Sequence, residues 1–240
     1  MLQMTAAPAL PEYPLPLPLP TSSSVPAVRF EQVALPGNLL SFEAHAGEIV
    51  HLAGGAPMVQ LRVLAIASAH TFSGPGRCRI AGLDTMALDA SQRQALRGRH
   101  IARALISDSL RPGLPLLANV AQAALQRGLS AHEALQRAAP ELDALGLGEM
   151  QSLPPAVLTP AQTRLALVAR TLVCRPRLLL LERPEVGLGA AEITSLRIAL
   201  WAMASTYKVC VLMTTTHPRL AASADRRVVL DDARVAVPEL

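Results

Sequence analysis

The chain has 240 residues, is 51% hydrophobic and 17% charged, and carries a formal net charge of +4. That length supports one large domain or two small ones with a well-buried core, and no run of about 18 uncharged apolar residues is present to span a membrane. The positive balance is almost wholly arginine, scattered along the chain without stacking aromatics, which speaks for solvated charge and against a nucleic-acid binder.

Residues 1–27, "MLQMTAAPALPEYPLPLPLPTSSSVPA", hold no Lys or Arg and place proline at 14, 16, 18 and 20. A signal peptide needs a basic start and an unbroken apolar run, so this stretch reads as a disordered, polyproline-like tail. Cys78, Cys174 and Cys210 are far apart and lack metal spacing, and read as buried thiols in a reducing compartment. From Val28, "VRFEQVAL" and "NLLSFEAHAGEIVHLAG" read as short alternating strands. A turn on Gly54 and Gly55 then leads into an apolar helix. "GRCRIAGLDTMAL" reads as strand and turn, and "DASQRQALRGRHIARALI" as a capped helix running into a strand. Residues 116–150 carry helical periodicity, with Ser130 and Glu133 spaced as a capping box. "TPAQTRLALVARTLVCRP" predicts an amphipathic helix with Thr159 as its cap and Pro160 at its first position. "RLLLL" predicts a central parallel strand buried on both faces, "GAAEITSLRIALWAMASTY" a helix, "KVCVLMTTTH" another buried strand, and "SADRRVVLDDARVAV" a closing hairpin. Strand and helix in alternation give an α/β fold with a parallel sheet between helices.

Taken together, "RHIARALISDSLRPGLPLLANV", "LTPAQTRLALVARTLVCRPRLLLLERPEVGLG" and "TTTHPRLAASADRRVVLDDARV" resemble, in order and spacing, the ATP-binding subunit of ABC transporters, most nearly the lipoprotein-release and macrolide-export branch. The resemblance covers residues 28–240. It implies a P-loop NTPase core, an N-terminal antiparallel β subdomain, and a helical subdomain inserted at about 107–165. It further implies ATP and Mg²⁺ as cofactors, a membrane permease and a second ATP-binding subunit (the same chain or another) as partners, and a place on the cytoplasmic face of the membrane. By the same resemblance Ile106, Leu110, Arg111, Pro112 and Leu114 lie in the permease-contacting segment.

The departures fall on the chemistry. The family's phosphate-binding lysine aligns with Val59 and its metal-binding hydroxyl with Gln60, in a loop that retains Gly54 and Gly55. The signature keeps Thr159 and Gln162 but has Pro160 and Ala161 in place of its glycines. The metal-side carboxylate is Glu182, and the general-base position is Arg183, which cannot accept a proton at neutral pH. Ile106 stands where the family has a glutamine, and His217 matches the switch histidine. Scaffold positions such as Gly47, Asn119, Arg170, Pro184 and Asp225 persist. The pattern predicts a catalytically degenerate cassette that holds Mg²⁺ and ATP poorly. An active ATPase with atypical motifs and a soluble scaffold outside transport are the competing readings. Bland roles remain open for single residues: a backbone contact for His217, an ion pair with Arg183 for Glu182, a plain turn for Gly54 and Gly55, and a helix start for Thr159.

Overall fold

A computed structural model describes residues 25–70 and 74–230 of the chain. The strands are β1 (Val28–Leu35), β2 (Asn38–Ala44), β3 (Ile49–Ala53), β4 (Arg77–Ile80), β5 (Leu83–Asp84), β6 (Ile101–Ala104), β7 (Leu178–Glu182), β8 (Cys210–Thr214) and β9 (Arg226–Val229). The helices are α1 (Pro57–Ala67), α2 (Ala90–His100), α3 (Leu116–Leu125), α4 (Ala131–Ala144), α5 (Pro160–Leu172), α6 (Ala190–Tyr207) and α7 (Pro218–Ala221). The proline-rich tail, as far as residue 24, and the second half of the closing hairpin lie outside the described residues.

Two sheets form. The first is antiparallel in the order β2-β1-β4-β5, and the second is parallel in the order β6-β7-β8-β3-β9. The apolar run of β7 explains why it sits inside the parallel sheet. Leu178 and Leu180 point to one face, packing with Val50, Leu52, Leu212 and the α1 residues Val63, Leu64 and Ile66. Leu179 and Leu181 point to the other, among Val211, Met213 and residues of α3 to α6. All four leucines are fully buried, each contributing about 2 kcal/mol by removal from water. The antiparallel sheet packs into the same core as α1, through Val28, Phe30 and Ile80.

Helix starts follow the sequence closely. Asp89 with Gln92, Ser130 with Glu133, and Thr159 with Gln162 each form a reciprocal capping box. Helix α5 continues beyond residue 165 to Leu172 and buries every residue from Arg164 to Ala169. The structure adds features with no strong sequence signal: single 3₁₀ turns at Gly148–Met150 and Pro155–Val157, the short α7, and a bulge in β1 where Gln32 takes φ 51°. Helix α6 ends on Lys208, an exposed residue in the left-handed region at φ 56°. Gly47, in the β2–β3 turn, lies so close that a Cβ there would come within 3.5 Å of the Lys208 Cδ.

Cys78 and Cys210 are buried and Cys174 is partly so. Burial pushes the Cys78 thiol up to about 12 and raises Cys174 and Cys210 as well, so none is poised as a thiolate. Among the described residues no helix is long and apolar enough to cross a membrane.

Candidate functional site at the carboxyl ends of the parallel strands

In an open parallel sheet, ligands bind outside the carboxyl ends of the strands. Here those ends gather four loops: Gly54–Gly55 after β3, Leu105–Ile106 after β6, Arg183–Glu185 after β7, and Thr215–His217 after β8. Hydrogen bonds join them. The Arg183 N–H donates to the Thr214 carbonyl (3.0 Å), and the Ile106 N–H donates to Glu182 Oε2 (2.9 Å).

The glycine turn is built as a strand-to-helix corner. Gly54 and Gly55 take φ of 71° and 70°, and a Cβ on Gly55 would come within 3.0 Å of the Leu230 carbonyl oxygen. Glycine is required there for the turn and for the close passage of the chain after β9. The helix that follows offers few donors to an anion. Pro57 has no N–H, and the Val59 N–H is spent on the Ala56 carbonyl at 2.8 Å. The Val59 side chain is 6% exposed and packs in the core beneath the loop. The Gln60 Nε2 donates back to the Gly54 carbonyl (2.8 Å), closing the loop on itself.

Glu182 forms no ion pair with Arg183, contrary to the simplest reading of their adjacency; its Oε2 accepts the Ile106 N–H instead. The exposed Arg183 sits in the left-handed region at φ 40°, a conformation costing a non-glycine residue about 1 kcal/mol. His217 caps α7 without a side-chain bond, its backbone N–H donates to Thr215 Oγ1 (3.1 Å), and its Nδ1 is buried without a partner. Thr159 and Gln162 bond to each other rather than to the glycine turn. In the segment with the expected permease contacts, Ile106, Arg111 and Pro112 are exposed and Leu114 is half-buried. Leu110 is 7% exposed and belongs to the core. The Asn119 side chain fixes that segment, accepting from Arg111 N–H (2.7 Å) and donating to the Arg111 and Leu114 carbonyls (3.0 and 2.9 Å).

Several residues that organise the site were not singled out from the sequence. Arg164, 7% exposed, donates to the Leu105 carbonyl (2.8 Å), the Arg183 carbonyl (3.1 Å) and the Glu182 carbonyl, so one guanidinium ties α5 to the loops after β6 and β7. Glu185, 8% exposed, accepts from the Thr216 N–H through Oε1 (2.9 Å), while Oε2 is buried without a partner. His51, inside β3, donates from Nε2 to the Thr215 carbonyl (3.1 Å), and burial holds its pKa below the usual histidine value. Only an arginine at the start of the apolar stretch of α5 and a histidine inside a strand hinted at these roles.

No protein-family model matches the chain. Its sequence is similar to the macrolide export ATP-binding/permease protein MacB of Rhodospirillum rubrum: 28% identical over 215 residues, covering 89% of this chain and 32% of that protein. It is also similar to the lipoprotein-releasing system ATP-binding proteins LolD of Ruegeria sp. (29% over 188 residues, 78% of this chain and 83% of that one) and LolD 2 of Caulobacter vibrioides (28% over 196 residues, 82% and 86%). The chain thus spans about a third of the first relative and most of the other two. In fold it matches a dimeric ATP-binding cassette in a post-hydrolysis state bound to ADP and Pi, with a TM-score of 0.77 at 20% identity over 86% of this chain and 95% of that one. A Clostridium perfringens component of the ABC transporter complex cbiONQ gives a TM-score of 0.75 at 16% identity, over 88% and 86% of the two chains.

Proposed function

We propose that this chain, an ABC-transporter ATP-binding cassette of the LolD and MacB kind, serves as a non-hydrolysing subunit of a membrane transport complex, paired with a permease and with a second cassette. The observation that carries this reading is the glycine turn: Val59 is packed into the core where a phosphate-binding cation is needed, and Gln60 closes the loop. Neither supplies charge or a hydroxyl to a Mg²⁺–triphosphate, and the residues present do not fit that group.

Two further facts support it. Arg183, directly after Glu182, cannot take a proton from water, and the Glu182 Oε2 accepts the Ile106 N–H. The scaffold that carries these loops is intact, down to the Asn119 bonds that hold Arg111 and Leu114, and exposed Ile106, Arg111 and Pro112 present a mixed apolar and basic surface to a partner. In this reading the cassette transmits contact, and any turnover comes from the paired cassette.

Affinity purification of the full chain from its native membrane, with identification of co-purifying proteins, tests the partners. A polytopic permease is expected, and recovery of the chain alone from the soluble fraction would refute the assignment. Equilibrium binding of a non-hydrolysable ATP analogue with Mg²⁺ tests the degeneracy, and micromolar affinity would refute it.

A further inference from the structure

At the far side of the parallel sheet from the glycine turn, its other edge strand β6 borders two adjoining clefts of about 180 and 300 Å³. Arg97, Arg103, Arg127 and Arg170 line the first, and Arg97, Arg103 and His70 line the second. No acidic residue lines either one. Arginines on the antiparallel sheet are matched differently: Arg29 pairs with Glu43 at 3.1 Å and Arg79 with Glu31 at 3.7 Å. Among the described residues, Arg97, Arg103 and Arg170 form no ion pair.

Arg97 and Arg170 are held in place by carbonyl groups, which leave the cationic charge uncancelled, while Arg103 is exposed. Arg97 donates to the Ala69 carbonyl (3.0 Å) and Arg170 to the Ser109 carbonyl (2.9 Å). Arg127 reaches the carbonyls of Arg99, Ile101 and Cys174 (3.1, 2.8 and 3.0 Å) and so caps the open edge of β6. Arg97 and Arg170 each use only part of a five-donor fork for this. The Ser68 Oγ donates to the Ala65 carbonyl (2.8 Å) and lies 2.6 Å from the His70 Nδ1, which fixes the imidazole at the cleft. Burial, then the charges of Arg103 and Arg97, hold the His70 pKa below its ordinary value. Like charges held together in a concave site are unfavourable until an anion joins them, and planar forks match the oxygens of a phosphate.

We infer that the cleft along β6 is a binding site for a phosphate-bearing ligand, with Arg97, Arg103 and Arg170 as its charged contacts. The site is separate from the glycine turn and does not depend on the cassette's proposed role. A concave pocket of this volume suits a phosphate or diphosphate group, carried by a free molecule or a lipid headgroup, better than it suits a flat acidic protein surface.

Titration of the full chain with pyrophosphate at constant ionic strength, followed by the His70 imidazole NMR resonance, is the test. Saturable binding that raises the His70 pKa is expected. Arg97→Gln and Arg103→Gln should each weaken it about tenfold, the worth of one charge-assisted hydrogen bond, and Gln60→Ala in the glycine turn should leave it unchanged. Flotation with vesicles containing phosphatidic acid distinguishes the sources: binding to vesicles but not to pyrophosphate assigns a lipid headgroup, and the reverse assigns a soluble ligand. No response of His70 to either probe, equal response to sulfate with no loss in the two arginine variants, or binding of an oligoglutamate peptide alone would each overturn the inference.

Discussion

Replacing Arg164 by methionine tests whether one guanidinium holds the strand-end loops together. Methionine keeps most of the apolar stem and removes every donor. Three carbonyl oxygens, on Leu105, Glu182 and Arg183, then lose a partner in a place that is 7% exposed in the intact protein. The Leu105 and Arg183 carbonyls keep a backbone partner, the N–H groups of Asp108 and Val186 (both 3.2 Å), so each loses a bond worth about 1 kcal/mol; the Glu182 carbonyl loses about 1–3 kcal/mol, and the three together cost about 3–5 kcal/mol. Relief of the arginine's own desolvation offsets part of this, because its Nε is buried with no partner and burial already lowers its pKa. The net expectation is a loss of about 3–4 kcal/mol, a large share of the roughly 5–15 kcal/mol that stabilises a typical domain. Urea unfolding reads it directly, as a midpoint lowered by about 1–2 M at a slope near 2–3 kcal/mol/M. Arg164→Lys keeps the charge but spans fewer carbonyls, and should fall between methionine and the parent. A methionine variant within about 1 kcal/mol of the parent would refute the bridging role.

Other expectations follow from single sites. Val59→Lys with Arg183→Glu should leave ATP turnover at background by phosphate release, because Ile106, Pro160 and Ala161 are unchanged, and substantial turnover would count against the degenerate reading. Thr159→Ala removes the cap of α5 and should cost about 1 kcal/mol, seen as a fall in Tm of about 2–4 °C. His100, held down to about 4 by burial and by Arg177, Arg127 and Arg99, takes up its proton in the unfolded chain first. Stability from this group is therefore full above pH 6.5 and falls as pH drops toward about 4, by about 3 kcal/mol in all; His100→Gln should flatten that slope in pH-dependent urea melts. Asn119→Asp should destabilise more than Asn119→Ala, since a carboxylate placed against the Arg111 and Leu114 carbonyls repels them; hydrogen exchange at the Arg111 N–H should rise in the alanine variant, which alone removes its acceptor.

Elements with a strong local cause were legible in the sequence. The run of four leucines in β7 specified a strand buried on both sides, and Ser130 with Glu133 and Thr159 with Pro160 marked helix starts because the capping bonds are made within three residues. The order of strands and helices also gave the fold class, and the motif departures pointed to the loops that the sheet gathers. Long-range roles were not legible. Arg164 looks like one polar position on a helix, yet its partners lie 59, 18 and 19 residues away in sequence. Glu185 and His51 are likewise defined by neighbours that only the parallel sheet supplies. The ion pair imagined between Glu182 and Arg183 failed because the two side chains project from the end of a strand into different surroundings, one toward Ile106 and one to solvent.

The corner where α6 ends has a practical consequence. Lys208 is the sole lysine of the sequence and is exposed, beside the β2–β3 turn. Apart from a chain terminus, an amine-directed crosslinker or fluorophore therefore reacts at one address, and mass spectrometry of the conjugate reports what stands within a spacer's length of that corner. A single-label map of the protein's neighbours needs no engineered handle.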